Sequence, residues 1–170
     1  MMFSPRDAVM PQAGFVCYRC GHNLSPAERA FCGECASPIP VLIPAHSGCG
    51  ASTLAAATGF RDGNESPYAS NHDRALRLLV ARTHHAGLEA ARRELARRRS
   101  SGHVARLLLV PDAPGKLPKP LADEVLVIAG PTPSSRIPWM EAWRWAPGAA
   151  TETFTKFFPT LAAQLTADHS

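Results

Sequence analysis

Two Cys-x-x-Cys pairs near the start of the chain, Cys17 with Cys20 and Cys32 with Cys35, restrict what this sequence can fold into more than any other feature. Eleven residues separate the pairs. Two knuckles at that spacing can set four thiolates in a tetrahedron around zinc, and Gly21 and Gly33 stand where tight turns call for positive φ. Four cysteine ligands leave His22 no vacancy. A segment this short cannot bury enough surface to fold unaided, so metal binding, worth about 10–16 kcal/mol in comparable peptides, would be its folding energy. The competing uses are a redox dithiol or unconnected free thiols. No apolar run of signal-peptide length follows the N-terminus, and no stretch approaches the ~18–20 residues that span a bilayer. The expected location is therefore cytoplasmic, with cysteines serving metal rather than disulfides.

The run Cys17-Tyr18-Arg19-Cys20-Gly21-His22-Asn23-Leu24, followed by Phe31-Cys32-Gly33-Glu34-Cys35, resembles the short zinc-ribbon modules attached to many prokaryotic proteins. The resemblance covers about residues 15–40 and implies a structural zinc and two short hairpins. Ala36 departs from it, because the second knuckle of such ribbons usually carries glycine there. Arg19 and Arg29 are balanced by Glu28 and Glu34, so the module lacks the basic face that favours nucleic acid. The expected organisation is a disordered N-terminus over 1–14, a zinc ribbon over 15–37 and an α/β domain over 38–170.

The remaining chain is long enough for one ordinary core. Residues 36–40, Ala-Ser-Pro-Ile-Pro, read as a stiff linker. Apolar runs at 41–45, 75–81, 104–110 and 124–129 are expected as strands. Helices are expected over about 52–58, 86–99 and 151–167, a long surface loop over 59–74 and a proline-broken connection over 111–120. In the clearest helix Leu88, Ala91 and Leu95 share one stripe, and the pairs Glu89–Arg93 and Glu94–Arg98 have the favourable i, i+4 order. Strands alternating with helices predict an α/β fold with a mainly parallel sheet covered on both faces. Ligands of such sheets bind outside the carboxyl ends of the strands. Those ends carry residues 46–52, Arg82 to His85, Asp112, and Gly130 to Thr132.

The stretch 41–55 reads as a strand, a glycine turn and the opening of a helix. A loop of that form presents backbone N–H groups and the positive end of a helix dipole to an anion, and a lysine then reaches the outer phosphates. Here Ala51 stands in the lysine's place. The phosphate-binding candidates are Ser47, Gly48, Cys49, Gly50, Ala51, Ser52 and Thr53, with ATP and Mg²⁺ as the cofactors they would hold.

This arrangement is similar to P-loop NTPases of the ParA/MinD kind, whose loop reads Lys-Gly-Gly-x-Gly-Lys-Ser/Thr. It corresponds to His46-Ser47-Gly48-Cys49-Gly50-Ala51-Ser52. The resemblance implies a P-loop-NTPase-like sheet, close approach of Gly48 and Gly50 to a phosphate, and Mg²⁺ on Ser52. Both lysines are replaced, and the second family strand, which ends in an aspartate for the metal and water, here ends Val80-Ala81-Arg82-Thr83. Two charges central to phosphoryl transfer are absent. Lys116 or Lys119 are the alternative sources of charge. Segments 79–88, 111–121 and 137–144 also resemble an uncharacterised group of actinobacterial proteins found near conjugation and mobile-element genes, over roughly residues 41–145. That resemblance implies a lineage and brings no activity.

His46, His84 and His85 could meet at the strand ends as a second metal site or acid/base pair, although adjacent histidines usually point apart. Cys49 lies at a helix N-terminus, where a thiol pKa falls, yet the position also simply needs a small residue. Arg92, Arg93, Arg97, Arg98 and Arg99 offer nucleic acid a basic face, or form the solvated side of an amphipathic helix. Trp139 and Trp143, i, i+4 partners if helical, could share a partner surface.

The leading expectation is a non-catalytic or very slow P-loop-like binding or regulatory protein with a structural zinc ribbon, around DNA transfer or partition. Its partner would be another protein, with an oligomer allowed. One alternative is a genuine ParA/MinD-like ATPase with displaced charges. Another is a DNA-binding adaptor using the ribbon and the arginine helix.

Overall fold

The computed structural model describes residues 15–28, 30–64, 74–99 and 103–170. The segment 1–14, expected to be disordered, lies outside the described residues, as does 100–102, expected to end the arginine helix. In chain order the elements are β1 (Phe15–Val16), β2 (Asn23–Leu24), β3 (Val41–Pro44), α1 (Ala51–Thr58), β4 (Arg61–Asp62), β5 (Arg77–Arg82) and α2 (His85–Arg98). After these come β6 (Arg106–Val110), α3 (Lys119–Ala129), β7 (Ser134–Arg136), a 3₁₀ turn (Glu141–Arg144) and α4 (Glu152–Asp168).

The strands β3, β5 and β6 are near-continuous apolar runs because helices cover both faces of the sheet they form. Leu42, Leu78, Leu79, Val80 and Leu107 are fully buried there. The sheet has five parallel strands in the order β4-β3-β5-β6-β7. Counting only these strands the order is 2-1-3-4-5, a doubly wound arrangement whose winding reverses between β3 and β5. Side chains alternate along each strand, so two cores form. Leu42, Leu78, Val80 and Leu108 pack with Leu54 of α1 and Phe154, Leu161 and Leu165 of α4. Ile43, Leu79, Ala81, Leu107 and Leu109 pack with Leu88, Ala91 and Leu95 of α2 and Val125 and Ile128 of α3.

The cysteine module packs on the α1/α4 side. Tyr18, Leu24, Cys17 and Cys32 belong to the same apolar cluster as Leu54 and Phe60. The Tyr18 ring meets Phe60 edge-on at 6.4 Å. Gly59, with φ 73°, ends α1; a Cβ there would lie 2.5 Å from the Phe15 ring. Only glycine lets β1 approach so closely.

Three expectations are corrected. Residues 124–129 are not a strand but the end of α3. Val125, Ile128 and Ala129 are buried at helical spacing against α2, while Leu126 and Val127 remain 75% and 80% exposed, a pattern no buried strand has. The stretch 59–74, expected as loop, contains β4 at Arg61–Asp62, while its residues 65–73 lie outside the described residues; β7, for which no strand was expected, is like β4 a short, polar edge strand. Trp139 precedes the 3₁₀ turn that holds Trp143, so the two do not share a helical face. Among the described residues no helix is long and apolar enough to cross a membrane.

Candidate metal centre and strand-end cleft

The two cysteine knuckles are built alike. In the first, Gly21 N–H donates to Cys17 O (3.0 Å) and Cys17 N–H to His22 O (2.8 Å). In the second, Ala36 N–H donates to Cys32 O and Cys32 N–H to Ser37 O, both at 2.9 Å. Gly21 has φ 75° and Ala36 φ 54°. The residue after each second cysteine therefore takes the left-handed turn, which costs an alanine about 1–2 kcal/mol. Gly33, expected at positive φ, does not adopt it. Glycine is needed there because a Cβ would lie 2.7 Å from Glu28 Oε1.

All four Sγ atoms lie within 4.8 Å of one another, the only such group among the described residues. Cys17 to Cys35 and Cys20 to Cys32 are each 3.7 Å. That is far beyond a disulfide bond of about 2.05 Å. It matches the ~3.8 Å edge of a tetrahedron with metal–sulfur bonds of about 2.3 Å. The four cysteines can hold a metal ion such as zinc. Burial pushes the Cys17 thiol up to about 12, so a metal binding here must displace its proton.

Glu28 ties the knuckles together, accepting Ser25 N–H at 2.6 Å and Gly33 N–H. These bonds lower its carboxyl from 4.5 to about 2. The unfolded carboxyl protonates near 4.5 and the folded one near 2, so its stabilisation is full above pH 4.5 and lost as pH falls toward 2. Glu28→Gln should remove part of the acid dependence in that window, read as a flatter plot of melting temperature against pH than wild type.

At the reversal between β3 and β5, the loop 45–50 turns through Gly48 (φ 72°) and Gly50 (φ 99°) into α1. Gly50 is the N-cap and supplies no side chain. The first N–H groups of α1 thus have no capping side chain, and the local dipole favours an anion. Ser47, Gly48, Cys49, Gly50, Ala51, Ser52 and Thr53 all line a cleft of about 740 Å³ there. Their contributions differ. Cys49 and Ala51 are 2% exposed and belong to the apolar cluster under α1, so Cys49 is a packing residue rather than a presented thiol. Ser52 Oγ donates to Asp62 Oδ2 at 2.6 Å. Asp62, at the end of β4, also accepts Asn64 N–H at 2.9 Å.

The cation at this loop is Arg82, at the end of β5, one of the strand-end residues expected to supply a site, although no role was assigned to it beyond standing where the family carries an aspartate. Its Nε donates to Gly48 O at 3.2 Å and its Nη1 to Pro111 O at 3.4 Å. Its ion pair with Asp112 is long, 3.7 Å, and half-exposed on the carboxylate side. The position of Arg82 at a strand's carboxyl end was a usable signal. Lys116 and Lys119 do not line the cleft, and Lys119 is held by Asp123 at 3.0 Å.

The three histidines form no second metal site. His46 bonds Ser47 O through Nδ1 (2.9 Å), and its Nε2 accepts Arg82 N–H (3.3 Å). The His84 ring lies 5.5 Å from it and caps α2 by accepting Gly87 N–H. His85 faces Glu124 instead, at 3.1 Å. Of the arginines on α2, Arg92 is bidentate to Glu89 and Arg97 to Glu94, with Arg98 also on Glu94. Glu89 therefore pairs one turn position earlier than the expected Arg93, and much of the helix's charge is already balanced.

A protein-family model described as a family of unknown function, DUF6668, matches residues 40–158. No curated protein and no solved structure matches the chain. The matched segment contains the strand-end cleft and leaves out the four cysteines.

Proposed function

The chain belongs to DUF6668, a family of unknown function, and from that premise we propose that it is a zinc-stapled, P-loop-like binding protein that holds an anionic, phosphate-bearing ligand without hydrolysing it. The observation that carries this reading is the Arg82 guanidinium bonded to Gly48 O, beside the N-terminus of α1 that no side chain caps. Arg82 supplies the positive charge that the lysines of a working phosphate loop would supply. Among the described residues no lysine lines the cleft, which favours holding over turnover. The zinc is structural: four thiolates close its coordination and leave no open position for a substrate.

Calorimetry of the zinc-loaded protein with pyrophosphate, ADP and ATP tests the reading. Binding is expected, with Arg82→Ala weakening it about 10- to 100-fold, the worth of charge-assisted hydrogen bonds. ATP turnover should not exceed the buffer rate. No heat with any of the three would end the proposal.

A second reading, slow Mg²⁺-dependent hydrolysis, has one specific observation in its favour. The Ser52 hydroxyl and Asp62 carboxylate, 2.6 Å apart, are the pair of groups that hold Mg²⁺ beside a phosphate in P-loop enzymes. Binding and phosphate release that both require Mg²⁺ would favour it.

A further inference from the structure

The geometry points to a peptide-docking slot beside the glycine-loop cleft, one that takes a single aliphatic side chain of leucine or methionine size from an acidic segment of a partner protein. After β7 the chain passes the carboxyl end of β6, where Ile137 N–H donates to Leu109 O at 2.9 Å, and runs through Pro138, Trp139 and Met140 into the 3₁₀ turn. A slot of about 100 Å³ lies there. Its floor is Val110, Ile137 and Met140, all buried, and Pro111, Pro138, Trp139 and Trp143 stand beside them. An apolar cavity of about 150 Å³ is filled by one benzene, so the slot has room for one aliphatic side chain and not for an indole. Met140, unbranched and polarisable, lets the floor fit either shape.

The walls are already fixed. Trp143 donates Nε1–H to Ala149 O at 2.9 Å, and its ring lies 5.4 Å from that of Phe154 on α4. Trp139 Nε1–H is held by Glu141 Oε2 at 2.9 Å, and the other oxygen of that carboxylate accepts Arg144 Nη1 at 3.1 Å. Glu141 thus sets an indole and a guanidinium side by side. Little side-chain freedom is left to lose on binding, which lowers the cost of association. Tryptophan and arginine are also the residue types that carry most of the energy at protein interfaces. Trp145, next after the turn, is largely exposed.

Charge decides what flanks the anchor. Arg82 and Arg144 line the slot, and no aspartate or glutamate among the described residues does. Arg82 is tied to Gly48 O and Pro111 O, and Arg144 to the 3₁₀ turn, so the two charges stand on different elements. Their partners within the chain, Asp112 at 3.7 Å and Glu141, are both half-exposed. Ion pairs of that kind contribute little, so a partner's carboxylates can share either guanidinium without breaking a strong bond. The net charge of +4 adds a general attraction for an acidic segment. The slot meets the cleft at Gly50, Thr53 and Arg82, whereas Trp139, Met140, Trp143 and Arg144 lie outside the cleft. The inference therefore does not rest on the anion reading.

The test titrates the zinc-loaded full chain, by tryptophan fluorescence and calorimetry, with three synthetic peptides: a leucine set among glutamates and aspartates, the same peptide with serine for leucine, and a leucine set among lysines. A single-stranded oligouridylate is the nucleic-acid arm. The acidic leucine peptide should bind about tenfold or more tightly than either other peptide, from one buried leucine in the first comparison and from charge in the second. Arg144→Glu, a change at an exposed side chain, should weaken it about tenfold, and less at high salt, while pyrophosphate binding in the cleft stays nearly unchanged. Trp139→Ala should erase the difference between leucine and serine peptides; the wild-type series and Arg144→Glu decide even if that variant fails to fold. No saturable binding of the acidic leucine peptide, equal affinity for its serine or lysine counterpart, or an oligouridylate that binds through Arg144 in its place would each overturn the inference, whatever the outcome with pyrophosphate.

Discussion

Stripping the metal from the four-cysteine centre is expected to unfold the module at 15–40 and to lower the melting temperature of the whole chain by about 10 °C or more. The first part follows from size: a module of two knuckles has almost no core of its own, and an ion held by the four cysteines would supply a free energy comparable with the 5–15 kcal/mol stability of an entire domain. The second part follows from packing. Tyr18 and Leu24 are buried in the cluster that also holds Leu54, Phe60 and Phe154, and Phe15 lies on Gly59 at the end of α1. Uncovering two large apolar side chains costs about 3–6 kcal/mol, which for a chain of this size is roughly 6–24 °C. Cys32→Ser should act like chelation, because Cys32 is 1% exposed and has no room for a substitute ligand. Metal analysis with differential scanning calorimetry before and after chelator checks this. Less than one zinc per chain, or a melting temperature indifferent to chelator, would rule out the staple.

Asp168→Ala is expected to cost about 3–5 kcal/mol, as much as truncating a large buried core side chain. Arg106 lies on β6 with its guanidinium in the interior, and Asp168 in the last turn of α4 takes it bidentately, Nε to Oδ2 at 2.7 Å and Nη2 to Oδ1 at 3.0 Å. The side chains are only 9% and 10% exposed. Nη1 is satisfied by Ser135 Oγ at 2.8 Å, and Ser135 in turn donates to Gln164 Oε1 at 2.6 Å, so α4 is fixed to β6 and β7 by one polar network. An aspartate at a helix C-terminus opposes the helix dipole; the arginine offsets this. Removing the carboxylate would leave a buried guanidinium short of two partners. Urea titration should show the loss at an unchanged slope. Replacing both partners, Arg106→Met with Asp168→Leu, should recover most of it, because an apolar pair bears no desolvation cost. The exposed pair Lys156–Glu152, by contrast, should contribute no more than about 1 kcal/mol. A loss below 1 kcal/mol for Asp168→Ala would mean that water reaches Arg106.

By itself the sequence determined the parts whose chemistry is local. Knuckle spacing identified Cys17, Cys20, Cys32 and Cys35 as one group, because two residues between cysteines confine both thiolates to one turn. The glycines at 48 and 50, placed between an apolar strand and a helix, located the loop at the end of β3. Runs such as Leu78 to Ala81 were recognisable as buried strands, and the mainly parallel α/β class followed from their alternation with helices.

Tertiary structure decided what depends on neighbours distant in the chain. Arg61–Asp62 and Ser134–Arg136 became strands through edge pairing, which leaves no hydrophobic period in two or three polar residues. The run 125–129 was open to either conformation, since periodicity cannot separate a short apolar strand from a buried helix. With β7 paired to β6, its place was against α2. Arg82 at the glycine loop and Arg106 on Asp168 join residues 34 and 62 positions apart. A charge has no partner until the fold brings one within a few ångströms, so although the position of Arg82 at a strand end was legible, the partners of both arginines could be named only from the folded chain.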